Sequence, residues 1–207
     1  MSSVRVRGCG GQGNLGAAGY CLMELMAALS IAATVTAIAV PQLLAAIDNF
    51  RTLGAVRYVA TRLQLARMEA IARNANVAIR FVQSDSSYDY TVYQDGNGNG
   101  VMSRDIQRNI DQEVHPAERL SSQFSGVDFG VLPGLPPIDP TGAAPGADPI
   151  KLGASNMVSF SSMGTSTAGS LYVLGRRSSQ YAIVIYGETG KTRILKYDQR
   201  IGQWRPL

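Results

Sequence analysis

Cysteine is nearly absent from this chain. The two that occur, Cys9 and Cys21, both precede residue 22, so no disulfide can hold anything that follows. A domain without cysteine suits an oxidising or a reducing compartment and does not choose between them. There is one histidine, His115, beside Pro116 in a stretch that reads as a loop, and an exposed position is expected for it. No CxxC pair, glycine-rich phosphate loop or nucleophile elbow is present. Serine is plentiful, but a serine without an orienting base is not a catalytic group. No enzyme activity is expected.

Charge is also missing in one place. Tyr20 to Ile47 is a run of 28 residues carrying a single charged side chain, Glu24. As a helix rising about 1.5 Å per residue, the run exceeds a bilayer core of about 30 Å. A carboxylate inside such a segment costs on the order of 2.5–3.5 kcal/mol, so Glu24 needs a partner. A cut after Gly19 would supply one, because the new α-amine on Tyr20 lies one helical turn from Glu24. Either group could pair with its opposite on a neighbouring subunit.

Met1 to Gly19 lacks acidic residues and any apolar run, and carries Arg5 and Arg7. A secretory signal has its apolar region before the cleavage site and small residues at it. Here the apolar region follows the site and would stay with the mature protein. The formal net charge is +4, and losing the two leader arginines would lower it to +2. The basic balance therefore says little about partners.

After Asp48 the chain reads as one soluble domain with room for a core. From Asp48 to about Asn74, Leu53, Val56, Ala60, Leu63, Ala66 and Ala70 recur at steps of three and four, the period of an amphipathic helix. Arg51, Arg62, Glu69 and Arg73 are read as its solvated face, with Glu69 and Arg73 four apart. Joined to the apolar run, this makes one helix of about 50 residues, bent near Pro41. Beyond Ala75 the period becomes two. Strands are expected at 77–82, 88–93, 126–132, 157–161, 170–174, 181–186 and 192–197, with tight turns between several of them. The fold class is α+β, a long N-terminal helix packed against antiparallel sheets. The proline-rich stretch from Pro133, reaching to about residue 155, is expected to be an irregular surface loop.

Two further patterns suggest ligands. Asp95-Gly96-Asn97-Gly98-Asn99-Gly100 follows the start of a calcium loop, with oxygen ligands at alternate positions and glycine at the sixth. The twelfth position holds Ile106 in place of a glutamate, and Asp105 falls one residue early. Asp95, Asn97, Asn99 and Asp105 are thus candidate Ca2+ ligands, against a glycine-rich turn with no metal. Near the C-terminus, Lys191 and Arg193 stand in a basic stretch with Arg176, Arg177, Lys196, Arg200 and Arg205. Such charges bind DNA phosphates only if they converge on one surface; otherwise they are solvated hairpin ends.

The segment Gly19-Tyr20-Cys21-Leu22-Met23-Glu24-Leu25 resembles the signal of type IV prepilins and type II secretion pseudopilins. The resemblance implies cleavage by a prepilin peptidase between Gly19 and Tyr20 and N-methylation of Tyr20. It also implies assembly guided by Glu24, with Pro41 as the kinking proline of the anchor. Tyr20 stands where phenylalanine is usual, and Cys21 where threonine or serine is. Leu63 to Ile71, Phe160 to Thr165 and Thr189 to Arg193 resemble the GspH/FimT group of minor pseudopilins and minor pilins. The implied organisation is a leader at 1–19, a transmembrane and assembly helix at 20–47, and a periplasmic head at 48–207. The implied role is a structural subunit of a type II secretion or type IV pilus filament, single-pass in the inner membrane. Its partners would be other pilin or pseudopilin subunits, the peptidase and the inner-membrane assembly platform. Some competence-linked relatives are thought to bind DNA through a basic C-terminal motif, so a DNA-binding minor pilin is the alternative.

Overall fold

The structure is a computed structural model that describes residues 22–140 and 142–207. Cys9, Gly19, Tyr20 and Cys21, with the cleavage and methylation expected there, lie outside the described residues. The chain divides into two compact units, residues 1–42 and Leu43–Leu207. The described part of the first is helical and exposed along its whole length.

Helix α1 runs from Leu22 to Arg73 and passes through Pro41 without interruption. It ends as the sequence leads one to expect. Asn74 adopts a positive φ of 49°, and the amides of Asn74 and Ala75 bond back to the carbonyls of Ile71 and Ala70. This is the paired-bond termination that asparagine or glycine permits. From Asp48 onward, one face is buried through Ala55, Val56, Val59, Ala60, Leu63, Ala66 and Ala70. Four of these seven are alanines, which let the helix axis approach the sheets closely.

Strands β1 (Val77–Ser84) and β2 (Ser87–Gln94) form a hairpin paired along its full length. A five-residue helix α2 (Ser103–Gln107) leads to β3 (Gln112–Arg119), and a short α3 (Leu120–Gln123) leads to β4 (Val127–Phe129). Then come β5 (Ile150–Lys151), β6 (Met157–Phe160), β7 (Gly169–Gly175), β8 (Gln180–Ile185), β9 (Thr192–Asp198) and β10 (Gln203–Pro206). The first sheet has the order β3-β2-β1-β6. The second runs β10-β9-β8-β7-β4, with β5 sharing the outer edge of β7 beside β4. Every pairing is antiparallel.

One core joins the buried face of α1 to both sheets. It includes Leu63, Ile79, Phe81, Phe160, Leu171, Val173, Tyr181, Ile183 and Ile185. The sheets also meet through rings, with Phe129 of β4 edge-on to Phe81 at 5.4 Å and to Tyr90 at 6.2 Å.

Four readings need correction. His115 is on the edge strand β3, not in a loop, and is only partly exposed. Two features of β3 hid it: few apolar residues, and Pro116. An edge strand tolerates proline, and the pairing shifts between Tyr90–Glu118 and Val92–His115, so that Pro116 and Ala117 form a bulge. Because β3 lies beside α1, Arg62 and Glu69 are not simply solvated. Arg62 pairs with Glu118, and Glu69 Oε1 lies 2.7 Å from His115 Nε2. The expected strand at 126–132 is limited to Val127–Phe129, and the expected irregular loop contains β5.

Candidate functional site

Every residue of α1 from Leu22 to Ile47 is exposed, and Glu24 is the only charged residue among them. Among the described residues this is the one helix long and apolar enough to cross a membrane. Its hydroxyls are satisfied within the helix. Ser30 donates to the carbonyl of Ala27, Thr34 to Ser30 and Thr36 to Ala32. That is what a helix needs where no water is available. Glu24 in the first turn has a position in the described chain without a described partner side chain. Pro41 lies near the end of the same exposed run.

The first polar residue after this run is buried. Asp48 is 6% exposed and its Oδ2 accepts the Arg177 amide at 2.9 Å. Thr52, fully buried, bonds back to the Asp48 carbonyl. Asn49 Oδ1 accepts from the Tyr181 hydroxyl at 2.8 Å and from Lys196 Nζ at 3.0 Å. The head thus grips α1 at 48–52 with three hydrogen bonds from β8, β9 and the β7–β8 turn.

One helical stretch further on, three segments that resemble the GspH/FimT group come together. Arg67 Nε donates to the Gly164 carbonyl at 2.9 Å, and Gln64 Nε2 donates to the Gly190 carbonyl at 3.2 Å and to Thr192 Oγ1 at 3.3 Å. Gly164 and Gly190 both have positive φ, 82° and 60°. A Cβ on Gly190 would lie 2.5 Å from the Gly164 carbonyl oxygen and 2.8 Å from Arg67 Nε. Glycine is required there for both conformation and space. These segments therefore bind the β6–β7 connection and the β8–β9 turn to one helix, which is a structural role.

The carboxylates of the calcium-like loop are occupied by its own amides. Asp95 Oδ1 accepts from the amides of Asn97 and Gly98, and Oδ2 from Gly100 and from Asn76 Nδ2. Burial raises the Asp95 pKa, but these hydrogen bonds outweigh it and hold the carboxyl below its ordinary value. Asp105 Oδ2 accepts from Asn99 Nδ2 at 3.1 Å and, more weakly, from Asn97 Nδ2 at 3.5 Å. Asn97 Oδ1 in turn accepts the Asn99 amide at 3.2 Å. Asp111, which the sequence reading did not single out, accepts from the amides of Gly96 and Met102. Among the described residues no group of three or more His, Cys, Asp or Glu side chains is placed to hold a metal. The contacts shown are those of a self-bonded turn.

The basic C-terminal residues separate. Lys191 ends the β8–β9 turn, and Arg193 lies on the outer face of β9 in a cleft shared with Tyr186 and Trp204. Arg176 and Arg177 occupy the β7–β8 turn, at the other end of β8. Six strand residues at about 3.4 Å each put some 20 Å between the two turns. Arg177, Lys196, Arg200 and Arg205 instead line a second cleft of about 560 Å³ at that far end. Lys191 is thus separated from Arg177 by the length of β8, and Arg193 opens on a different cleft from Arg177, Lys196, Arg200 and Arg205.

A polar network that the sequence did not announce joins α1 to β3. Glu118 Oε2 accepts from the Tyr58 hydroxyl at 2.6 Å and the Tyr90 hydroxyl at 3.0 Å, and Oε1 pairs with Arg62. Burial raises the Tyr90 pKa, keeping it a donor. Nothing here resembles a nucleophile with its base.

An exposed apolar helix that runs on to become the spine of an antiparallel α+β head defines a pilin-like subunit. The family model described as type II transport protein GspH matches residues 55–190. That is more than half of the chain, and the chain belongs to the GspH family. It is also similar to two solved structures of the minor pseudopilin EpsH from the type 2 secretion system of Vibrio cholerae. They are 18% and 17% identical, with TM-scores of 0.41 and 0.38, and cover 70% and 78% of this chain and 94% and 95% of theirs. No curated protein matches the chain significantly.

Proposed function

We propose that this chain is a minor pseudopilin of a type II secretion system, a filament subunit with no catalytic role. The family match carries this reading. The exposed apolar helix Leu22–Ile47 supports a single-pass anchor in the inner membrane, with the head from Asp48 in the periplasm. In this reading prepilin peptidase removes residues 1–19 and Tyr20 becomes the methylated N-terminus. The subunit waits in the bilayer until the assembly platform extracts it. Glu24 then pairs with the α-amine of a neighbour, a contact strong in lipid because each charge alone would be costly there.

The DNA-binding alternative has lost its geometric support. Its warrant was a basic surface around Lys191 and Arg193, and Arg177, Lys196, Arg200 and Arg205 line a different cleft from the one that holds Arg193.

Intact-mass measurement of the protein from a membrane fraction tests the proposal. A mature chain beginning at methylated Tyr20, and cross-linking to other pseudopilins, are expected. A chain that keeps residues 1–19 and cross-links to none of them would overturn it.

A further inference from the structure

The cations that left Lys191 are gathered in a particular place. Two turns meet at this corner of the second sheet, where Gln199 Nε2 donates to the Ser178 carbonyl at 2.8 Å. Arg177, Lys196, Arg200 and Arg205 line the cleft between them, and Arg177, Arg200 and Arg205 are exposed. Among the described residues, the acidic side chains in contact with these groups are Asp198 and Asp48. Asp198 lies 3.7 Å from Arg205 and also accepts the Arg200 amide, and Asp48 is buried on the Arg177 amide. The corner is therefore positively charged overall.

Its position follows from contacts already described. Lys196 Nζ reaches Asn49 and the Arg177 amide reaches Asp48. Ile47, the residue before them, ends the exposed apolar run. The cations thus sit beside the point where apolar helix gives way to polar chain. One exposed apolar side chain, Ile201 at 45%, stands beside Arg200 at the tip of the β9–β10 turn. On α1, just past Asn49, Phe50 at 70% and Arg51 are exposed as well. Cations beside a protruding apolar side chain, near the residue where the apolar run ends, match the chemistry of a bilayer surface. The cations meet lipid phosphates and the apolar side chain enters the headgroup boundary.

We propose that this corner, built from Arg177, Lys196, Arg200 and Arg205 with Ile201, docks on anionic phospholipid headgroups of the membrane that holds α1. The proposal rests on reading Leu22–Ile47 as a membrane anchor. Each cation near an anionic leaflet strengthens association roughly fivefold. A few such contacts hold the head against the membrane and still release it when the subunit is extracted.

The test uses the full chain, with Cys9→Ser and Cys21→Ser, carrying an environment-sensitive fluorophore at Ile201→Cys in lipid nanodiscs. Co-elution with nanodiscs reports on the anchor separately, and failure there would remove the membrane reading itself. Given incorporation, emission should shift to the blue in phosphatidylglycerol-containing discs and not in pure phosphatidylcholine. Raised salt should abolish the shift, as should Arg200→Glu with Arg205→Glu, while Lys191→Glu with Arg193→Glu at the far end should leave it. Should the double reversal at the corner fail to fold, the salt titration of the unreversed chain decides the question. Equal emission in both lipids, or a shift indifferent to salt or to reversal at the corner, overturns the proposal. So does duplex DNA binding that depends on Arg200 and Arg205 in a chain whose label ignores anionic lipid.

Discussion

Arg67 of the long helix donates from Nε to the carbonyl of Gly164, 97 residues further along the chain, at 2.9 Å. The same guanidinium lies against Gly190, so one side chain holds the β6–β7 turn and the β8–β9 turn together. Gln64, nearly one helical turn earlier, completes the clamp. The family match, residues 55–190, begins on the buried face of α1 and ends at Gly190, so it spans this clamp.

Gly190→Ala is expected to destabilise the head by about 2–4 kcal/mol. The added Cβ meets a backbone carbonyl at 2.5 Å, and φ is 60°; overpacking and left-handed strain each cost on the order of 1–3 kcal/mol. Thermal melting of the full chain in detergent, followed by circular dichroism, should show a midpoint lower by roughly 4–16 °C, at about 2–4 °C per kcal/mol. An unchanged midpoint would mean that the two turns can separate without cost.

Glu118→Ala should be worse than Tyr58→Phe. The first leaves Arg62, whose side chain is 24% exposed, without its carboxylate, and also orphans the hydroxyls of Tyr58 and Tyr90. The second removes one donor. A loss of about 3 kcal/mol against about 1 kcal/mol is expected in urea denaturation. Similar losses would show that the pair is solvated in practice.

Asp95→Asn should cost about 1–3 kcal/mol near neutral pH, because amides of Asn97, Gly98 and Gly100 lose their charged acceptor. The folded pKa of Asp95 is lowered from 3.8. Its contribution is therefore fully present well above that value and is lost as pH falls through the folded pKa. The stability gap between wild type and variant should be constant above about pH 5 and shrink below about pH 4. Calcium should leave both melting midpoints unchanged, and a calcium-dependent rise in wild type alone would restore the metal reading.

Glu24→Val should leave membrane insertion intact, since valine makes the anchor more apolar. Incorporation into filaments should fall by more than about tenfold if a neighbour's amine is left unpaired in lipid. Cross-linking yields to other pseudopilins in wild type and variant measure this. Equal yields would remove Glu24 from assembly.

Lys191→Ala with Arg193→Ala should not change any weak DNA binding by the full chain. Gel-shift titrations at several salt concentrations check this. A salt slope flatter by about two units in the variant would revive the DNA-binding reading, since each phosphate contact contributes close to 0.9.

What the sequence determined by itself is local and periodic. The nearly uncharged run before Asp48, the three-and-four spacing from Leu53 to Ala70 and the alternation in Val77–Val82 and Tyr88–Tyr93 depend only on which face each residue presents. They were enough for the long helix, for most strands and for the α+β class. The β3 strand escaped because an edge strand with a proline bulge needs no apolar alternation; its place is set by pairing with β2 and by Glu118 and His115 meeting Arg62, Glu69 and Tyr58 of α1. The destination of the cations was equally illegible. Arg177 and Lys191 are 14 positions apart in the chain, yet β8 carries them to opposite ends of a sheet, while Arg177 and Arg205, twice as far apart in sequence, line one cleft. Convergence of charge is a property of strand order and register, which arise only when distant segments pack on one core.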